Sequence, residues 1–473
     1  MRRTPFVLFL LFSLAAFGAI RSYDLFWQLA TGRWIVEHRG LPLTDPFALA
    51  SEQREWIDGE WLYEVALYGA HSLVGLEGLS IVRGLLAALI FTLAFLHARR
   101  ETETHVALLA SAVAFAGAMA VLDLRPSGVA ALMVVLMLAA KPFWARVLIA
   151  VIWINVHPSA LLAPIIGALA SPPAVAPASR AGSRAGGWMA AAIRFVVLAA
   201  ALLLNPYGWK AIVAPIELTM FVRSGAFVNA EWLPSPPLRF PILYVCIAIA
   251  IAATATQPKR NWWRIALLAM FAMLAVRHVR NQPLFFAAFP MLVPLPSSLS
   301  MLRPRIAYLA SAAAIALIAL TNDHRLGVAP ERFPVNAVAQ LKASGLRGNI
   351  YNPDQFGGYL IWSFYPERRV LTDGRNELYR TFIPEWQQAR GDGRKWNELL
   401  RKYKIDLAVE EYREPLRITD AATGKVELLP AEQAYWPRTE WMLIAKDDAA
   451  MVFARKAAFP RLSRLSSRGR ADS

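Results

Sequence analysis

The chain has 473 residues, 56% of them hydrophobic and only 18% charged, with a formal net charge of +16 and a mean hydropathy of +0.38. Soluble globular proteins carry about 25% charged residues, so most of this chain expects lipid. The excess of positive charge does not mark a nucleic-acid partner, because the basic residues sit mostly in short loops between apolar runs, where they set topology and touch anionic membrane lipids.

In chain order, Arg2-Arg3 precedes an apolar run over 5–20. With Ala16-Phe-Gly-Ala19 this run also has the form of a signal peptide. The parity of the later crossings favours an uncleaved anchor. Residues 23–38 then read as an amphipathic helix rich in Trp and Phe, the composition of a segment lying in a membrane interface. Asp24 stands at its start, a carboxylate at headgroup depth.

Further apolar runs cover 79–96, 106–122, 127–140, 145–156, 158–170, 188–204, 240–256, 263–276, 282–296 and 305–320. Several are shorter than the ~20 residues of a simple span and must be tilted, bent or continued by neighbours. Arg99-Arg100, Lys141 with Arg146, Arg180 with Arg184, Lys259-Arg260 with Arg264, and Arg303 with Arg305 alternate with the other loops and, together with Arg2-Arg3, mark one face as cytoplasmic. A single helix over 145–170 would put the Arg180/Arg184 and Lys259-Arg260 loops on opposite faces. Two crossings broken around His157-Pro158 keep them together. The lone cysteine, Cys246, lies inside an apolar run and offers neither an intrachain disulfide nor metal-ligand spacing.

The expected architecture is mainly α: a polytopic transmembrane bundle of about eleven helices over 1–320, with the N-terminus cytoplasmic and a long first periplasmic loop over 21–78. From 321 to 460 the sequence reads as an extracytoplasmic α/β domain. There 334–342 and 396–403 look helical, while 348–352, 369–373 and 405–410 look like strands. Residues 441–446 and 451–455 alternate as a closing antiparallel pair. The stretch 171–187 reads as a flexible cytoplasmic loop, and the Ser/Arg-rich tail from 461 to 473 as disordered.

The acids of the first outer loop are the leading chemical candidates. Glycosyl transfer from a lipid phosphate needs a base for the acceptor proton and cations for the departing phosphate. Asp24 suits the first task, with helix capping as its structural alternative. Asp58-Gly-Glu60 is an acid-x-acid pair able to share that task, orient an acceptor or take a divalent ion. Asp45, before Pro46, suits an Asx turn. At other outer ends, Arg125 contacts substrate or pairs with Asp123, and His157 holds phosphate or metal or is structural. Glu231 is a further acceptor contact. Arg277 and Arg280, three apart, share a helix face and suit bidentate phosphate binding. In the C-terminal region, Gly357-Gly permits close backbone approach and Asp373-Gly-Arg makes a strand-end turn. No GxGxxG, P-loop, HExxH or GxSxG motif stands in a matching context.

Asp24-Leu-Phe-Trp-Gln-Leu-Ala-Thr-Gly-Arg-Trp-Ile, Pro42-Leu-Thr-Asp-Pro-Phe, Glu60-Trp-Leu, Arg125-Pro, Trp153-Ile-Asn-Val-His, Asn205-Pro-Tyr-Gly, Glu231-Trp, Arg277-His-Val-Arg-Asn, Gly357-Gly-Tyr-Leu and Asp373-Gly-Arg together resemble bacterial multi-pass proteins of the GT-C glycosyltransferase superfamily. The resemblance implies a polyprenyl-phosphate or -diphosphate sugar donor, an acid in the first outer loop, matched in position by Asp24, and an active site on the periplasmic side of the inner membrane. The superfamily's acid-x-acid signature does not follow Asp24, where Leu25 and Phe26 come next, so no cofactor is required by the match and a divalent metal is left open. A non-catalytic membrane component of envelope polysaccharide assembly or export is the rival expectation. A transporter is disfavoured by the lack of an inverted repeat.

Overall fold

The computed structural model describes residues 4–51, 53–170, 182–225, 229–256, 261–294, 303–412, 416–419, 424, 426–429 and 435–460. Arg2-Arg3, Arg180, Lys259-Arg260, most of the 171–187 loop and the 461–473 tail lie outside the described residues. The chain forms two compact units, one of Met1–Ser22 with Ile57–Val328, the other of Tyr23–Trp56 with Ala329–Ser473. The boundary therefore runs through the stretch expected to be the first outer loop, leaving Asp24 and Asp45 in the second unit and Asp58 and Glu60 in the first.

The first unit is helical: α1 (Thr4–Ala16), then, after α2 (Leu25–His38) of the second unit, α3 (Trp61–Ala98), α4 (Thr104–Ala118), α5 (Pro126–Ala139), α6 (Phe143–Ile154), α7 (Ala163–Leu169), α8 (Gly182–Ala201), α9 (Lys210–Arg223), α10 (Pro241–Ala255), α11 (Trp262–Arg277), α12 (Gln282–Leu292) and α13 (Pro304–Thr321). Proline opens α5, α10 and α13, where its missing N–H leaves no bond unmade. The break expected near His157 is present: α6 stops at Ile154, and a short 3-10 turn over Pro158–Leu162 precedes α7. Helix α3 is interrupted at Gly75 (φ 69°, ψ −174°), a conformation that glycine adopts at little cost.

Among the described residues two helices, Trp61–Ala98 and Pro304–Thr321, are long and apolar enough to cross a membrane, and several apolar helices are shorter. Phe6, Leu14, Trp188, Ile193, Val196, Leu309 and Leu320 are exposed. Large apolar side chains turned outward on three helices carry a hydration cost that surrounding hydrocarbon removes. The interior is dominated by small and aromatic residues such as Ala87, Ala94, Phe91, Phe115, Phe285 and Phe289, which let helices approach closely.

The turn after α1 is bound to the turn after α13. Asn322 Nδ2 donates to the carbonyls of Ala15 and Phe17 (3.1 and 2.8 Å), and Ile20 N donates to Gly327 O (2.9 Å). Beneath them Arg83, buried, donates to Ala16 O (2.8 Å) and pairs with Asp123 (3.1 Å). This corrects one expected pairing. Asp123 is held by Arg83 and by the amide of Arg21 (3.0 Å), while Arg125, two residues on, pairs with Glu231.

The second unit contains α2, α14 (Val335–Ala343), β1 (Asn349–Tyr351), α15 (Asp354–Phe364), α16 (Phe382–Arg390), α17 (Gly393–Lys402), β2 (Ile405–Glu411), β3 (Leu416–Thr419), β4 (Val426–Leu429), β5 (Trp441–Lys446) and β6 (Ala450–Arg455). One sheet has the order β1-β2-β6-β5, and β3 pairs with β4 in a second, two-stranded sheet. Strand β1 runs parallel to β2, while β2–β6 and β5–β6 are antiparallel. The closing pair matches the alternating sequence. The strand expected over 369–373 is reduced to bridges at Val370. The reason is local: Leu371 N is taken by the Asn352 side chain (2.9 Å), and the carbonyls of Val370 and Leu371 accept from Leu49 and Ala50, which breaks the ladder.

Helix α2 also departs from expectation. Residues Leu25 to Gly32 are all buried, so its first two turns are enclosed by protein and present no face to a membrane interface. Phe26 meets Phe333 and Tyr359 edge-on (5.1 and 4.8 Å between centroids). The Gly357-Gly358 pair makes the packing possible. A Cβ on Gly357 would lie 2.1 Å from Thr372 O, and one on Gly358 would lie 3.0 Å from Trp27 N and Tyr23 O.

The core of this unit encloses Arg375, whose side chain has no exposed surface and pairs with Asp45 (2.9 Å) and Asp373. Tyr379 donates its hydroxyl to Asp373 (2.6 Å), and the guanidinium lies 4.5 Å from the Trp56 ring centroid. Burial opposes this charge, but Asp373 and Asp45 outweigh it and hold the guanidinium well above its ordinary range. Asp45 meanwhile accepts from the amides of Phe47 and Ala48 (3.0 Å each), the Asx turn its proline suggested. Arg375→Met should leave two buried carboxylates without their cation and destabilise the protein by roughly 3–5 kcal/mol. The check is the thermal unfolding midpoint of the detergent-solubilised full chain; an unchanged midpoint would refute the assignment.

Candidate functional site

The site in the first unit is assembled by the turn between α6 and α7. Asn155, following α6, accepts from Trp61 Nε1 (2.8 Å), and its carbonyl accepts from Leu62 N (3.1 Å). Its side-chain nitrogen donates to Val151 O and Leu204 O (2.8 and 3.0 Å). One carboxamide thus joins the start of α3, the end of α6 and the turn after α8. Glu60, immediately before α3, is carried to His157, immediately before the 3-10 turn.

His157 precedes proline, and its backbone is extended (φ −162°, ψ 138°), as steric conflict with a following proline demands. The ring then folds back over the turn, and Nδ1 accepts from Ser159 N (3.1 Å) with Ser159 Oγ also at 2.7 Å. Trp153 Nε1 donates to the same hydroxyl (3.1 Å). The other ring nitrogen, Nε2, faces Glu60 Oε1 at 4.0 Å. His157 is buried, and burial, with the positive charges of Arg280 and Arg125 nearby, pushes its pKa down to about 3. The imidazole is therefore neutral at physiological pH.

A second strip closes the cluster. Asn229 Oδ1 accepts from Glu231 N (2.9 Å), shaping a turn in which Trp232 O accepts from His278 Nδ1 (2.7 Å). Ser235 N donates to Val276 O and Val279 N to Leu233 O (2.9 and 3.1 Å), while Gln282 Nε2 donates to Ser235 Oγ (2.8 Å). These bonds lace residues 229–235 to the end of α11. Glu231 pairs with Arg125, and the Arg280 guanidinium lies over Trp232, 4.7 Å from its centroid. Both guanidiniums, two carboxylates, an imidazole and an indole are thereby brought into one region.

Arg277 and Arg280 do not share a helix face. Helix α11 ends at Arg277, His278 is extended (φ −145°, ψ 122°), and Val279–Asn281 forms a separate 3-10 turn. Arg277 stays exposed, whereas Arg280 joins the cluster. Asp58 is buried, and its Oδ1 accepts from Glu60 N (3.0 Å), so the acid-x-acid pair closes on itself as a turn. Among the described residues no group of three or more His, Cys, Asp or Glu side chains is placed to hold a metal ion.

Asp24 belongs to the second unit. It occupies the N-cap position of α2 without making a side-chain cap bond. Instead Oδ1 accepts from Trp27 Nε1 (3.1 Å), and Gly374 passes so close that a Cβ there would lie 2.9 Å from that oxygen. Asn155, Ser159 and Trp232 escaped the sequence reading as participants. A local clue was Ser159, two residues after His157 and directly after the His-Pro step, a spacing that returns an amide to the imidazole.

Because folding depresses the His157 pKa from about 6.5 to about 3, the unfolded chain binds the extra proton between those values. Stability contributed by this residue is complete above about pH 6.5 and is lost as pH falls toward 3. Lowering the pH from about 7 to 5 should cost on the order of 2 kcal/mol through this group. His157→Gln should lose correspondingly less on acidification, measured by unfolding midpoints at both pH values; equal losses would refute the depressed pKa.

No protein family profile and no curated protein sequence matches the chain. Solved structures do. An Archaeoglobus fulgidus oligosaccharyltransferase in its apo form aligns over 92% of this chain and 75% of its own, with a TM-score of 0.57 and 9% identity. The AglB oligosaccharyltransferase of the same organism, in complex with an inhibitory peptide and a dolichol-phosphate, aligns over 90% of this chain and 74% of its own (TM-score 0.55, 9% identity). A complex of the Archaeoglobus fulgidus enzyme with zinc and sulfate aligns over 92% and 74% (TM-score 0.53, 10% identity). At this identity the likeness is one of fold alone.

Proposed function

We propose that the protein is a glycosyltransferase of the bacterial inner membrane. It would transfer a sugar from a polyprenyl-phosphate donor to an envelope glycan, lipid or protein acceptor on the periplasmic side. The observation that carries this reading is the grouping of Arg125, Arg280, Glu60, His157, Glu231 and Trp232 at helix ends of the first unit. The fold shared with oligosaccharyltransferases supports it, one of them bound to a dolichol-phosphate. Multi-pass topology, with the N-terminus cytoplasmic and the α/β domain periplasmic, belongs to the same proposal.

In this mechanism Arg125 and Arg280 hold the donor phosphate, since guanidinium forks match phosphate oxygens. The acceptor oxygen attacks the anomeric carbon as its proton passes to a carboxylate. The bond from that carbon to the phosphate oxygen breaks, and charge developing on the leaving polyprenyl phosphate is met by the guanidiniums. Glu60 is the preferred base because it stands in the same unit as the arginines, with Asp58 shaping its turn. Asp24 is the rival base, in the second unit. Binding of the phosphate would exchange Glu231 for a lipid anion on Arg125.

A cell-free assay with lipid-linked sugar tests the reading. Glu60→Gln should lower transfer by about 10²-fold or more, and Arg125→Ala or Arg280→Ala should raise the donor KM as well as lower kcat. Asp24→Asn assayed beside them decides between the two carboxylates. Transfer unaffected in Glu60→Gln and in both arginine variants would remove this cluster from the chemistry.

A further inference from the structure

We infer that Trp232 is a positioning residue for Arg280: its indole face sets the direction of that guanidinium, so that a phosphate anion meets a donor edge already in place. The inference rests on the phosphate-holding role given to Arg280 above and adds the residue that prepares it for that role.

Trp232 is fixed by the protein itself. It closes the 3-10 turn Ala230–Trp232, where its N donates to Asn229 O (3.0 Å). Its carbonyl accepts from His278 Nδ1 (2.7 Å), and since a carbonyl can only accept, that nitrogen carries the hydrogen. The two rings meet edge-on, 5.6 Å between centroids. The next carbonyl, Leu233 O, accepts from Val279 N (3.1 Å). Bonds from residues 278 and 279 thus seat the indole against the stretch that carries Arg280. The Arg280 guanidinium lies over that indole, 4.7 Å from its centroid.

Stacking has a particular consequence for an arginine. The N–H donors of a guanidinium all lie in its plane, so a ring against its face does not consume them. The negative face of the indole attracts the cation and restrains a side chain otherwise rich in rotamers. An anion that meets an ordered fork binds more tightly than one that must order it. Arg280 needs such restraint, because it sits in a turn of three residues, Val279–Asn281, and no helix face directs it.

The residue before Trp232 treats its arginine in the opposite way. Glu231 pairs with Arg125 Nη1, a donor that a phosphate would use. One short turn therefore holds two guanidiniums by different means, Arg125 through charge and Arg280 through a π face. A phosphate must displace Glu231, whereas it can bind Arg280 with Trp232 still in place. Neighbouring residues should then act on phosphate affinity with opposite signs.

The test is calorimetric titration of farnesyl phosphate into the full-length protein in neutral detergent, with farnesol as the uncharged control. Trp232→Leu should weaken farnesyl phosphate binding roughly fivefold to thirtyfold, and Trp232→Phe, which keeps a ring face, should stay within about threefold of wild type. Glu231→Gln should tighten it, which separates the loss at Trp232 from general damage to the turn. In an Arg280→Ala background Trp232→Leu should change affinity by less than about twofold, while in an Arg125→Ala background it should keep its full effect. Should leucine at 232 prevent folding, fluorinated tryptophans placed at 232 alone preserve the shape and drain the negative face, and affinity should fall with each added fluorine. An undiminished effect of Trp232→Leu in Arg280→Ala, phenylalanine as weak as leucine, a flat fluorination series, or weaker binding in Glu231→Gln would each overturn the inference. If Arg280→Ala alone still weakens binding in that case, the phosphate-site reading survives without it. If wild-type protein binds farnesyl phosphate no better than farnesol, both fall together.

Discussion

The cluster in the first unit depends on one carboxamide. Asn155 satisfies a side chain at the start of α3, a carbonyl within α6 and a carbonyl after α8. A buried amide group left unbonded costs far more than a satisfied one contributes, so these partners fix one another's positions. The start of α3 cannot drift from the end of α6 without orphaning several polar groups together. Glu60 and His157 inherit their separation from that bracket, and Arg125 and Arg280 act on a ring whose place is already set.

The second unit follows the same rule with charge in place of amide. Arg375 is enclosed by aromatic rings and by two carboxylates. Desolvation makes each ion costly alone, which ties the Asp45 turn from the early part of the chain to the Asp373 turn from the late part. Residues 23–56, separated by sequence from the α/β region, are thereby integral to it.

The helical body was legible because apolar runs record burial directly in composition. Even the interruption at His157-Pro158 could be placed, since Pro158 dictates the backbone before it. The closing β5–β6 pair was legible from alternation. Partnership across long sequence distances was not. Asp123 and Arg125 are neighbours in sequence, yet the first pairs with Arg83 and the second with Glu231, because the intervening turn sends their side chains to different elements. Arg277 and Arg280 have helical spacing, but nothing local announced that α11 would stop between them. The aromatic stretch after Asp24 has the composition of an interfacial helix. Its enclosure depends on Gly357 and Gly358, more than 300 residues later.

The discontinuity in α3 at Gly75 has a mechanical meaning. An uninterrupted helix is a stiff rod that transmits displacement along its axis. Where the ladder of backbone bonds is broken, the segments on either side become separate bodies joined by a swivel. The portion that starts beside Glu60 is thus decoupled from the portion buried among α1, α4 and α5. Displacement of the latter need not disturb the ångström-scale spacing that the former must keep.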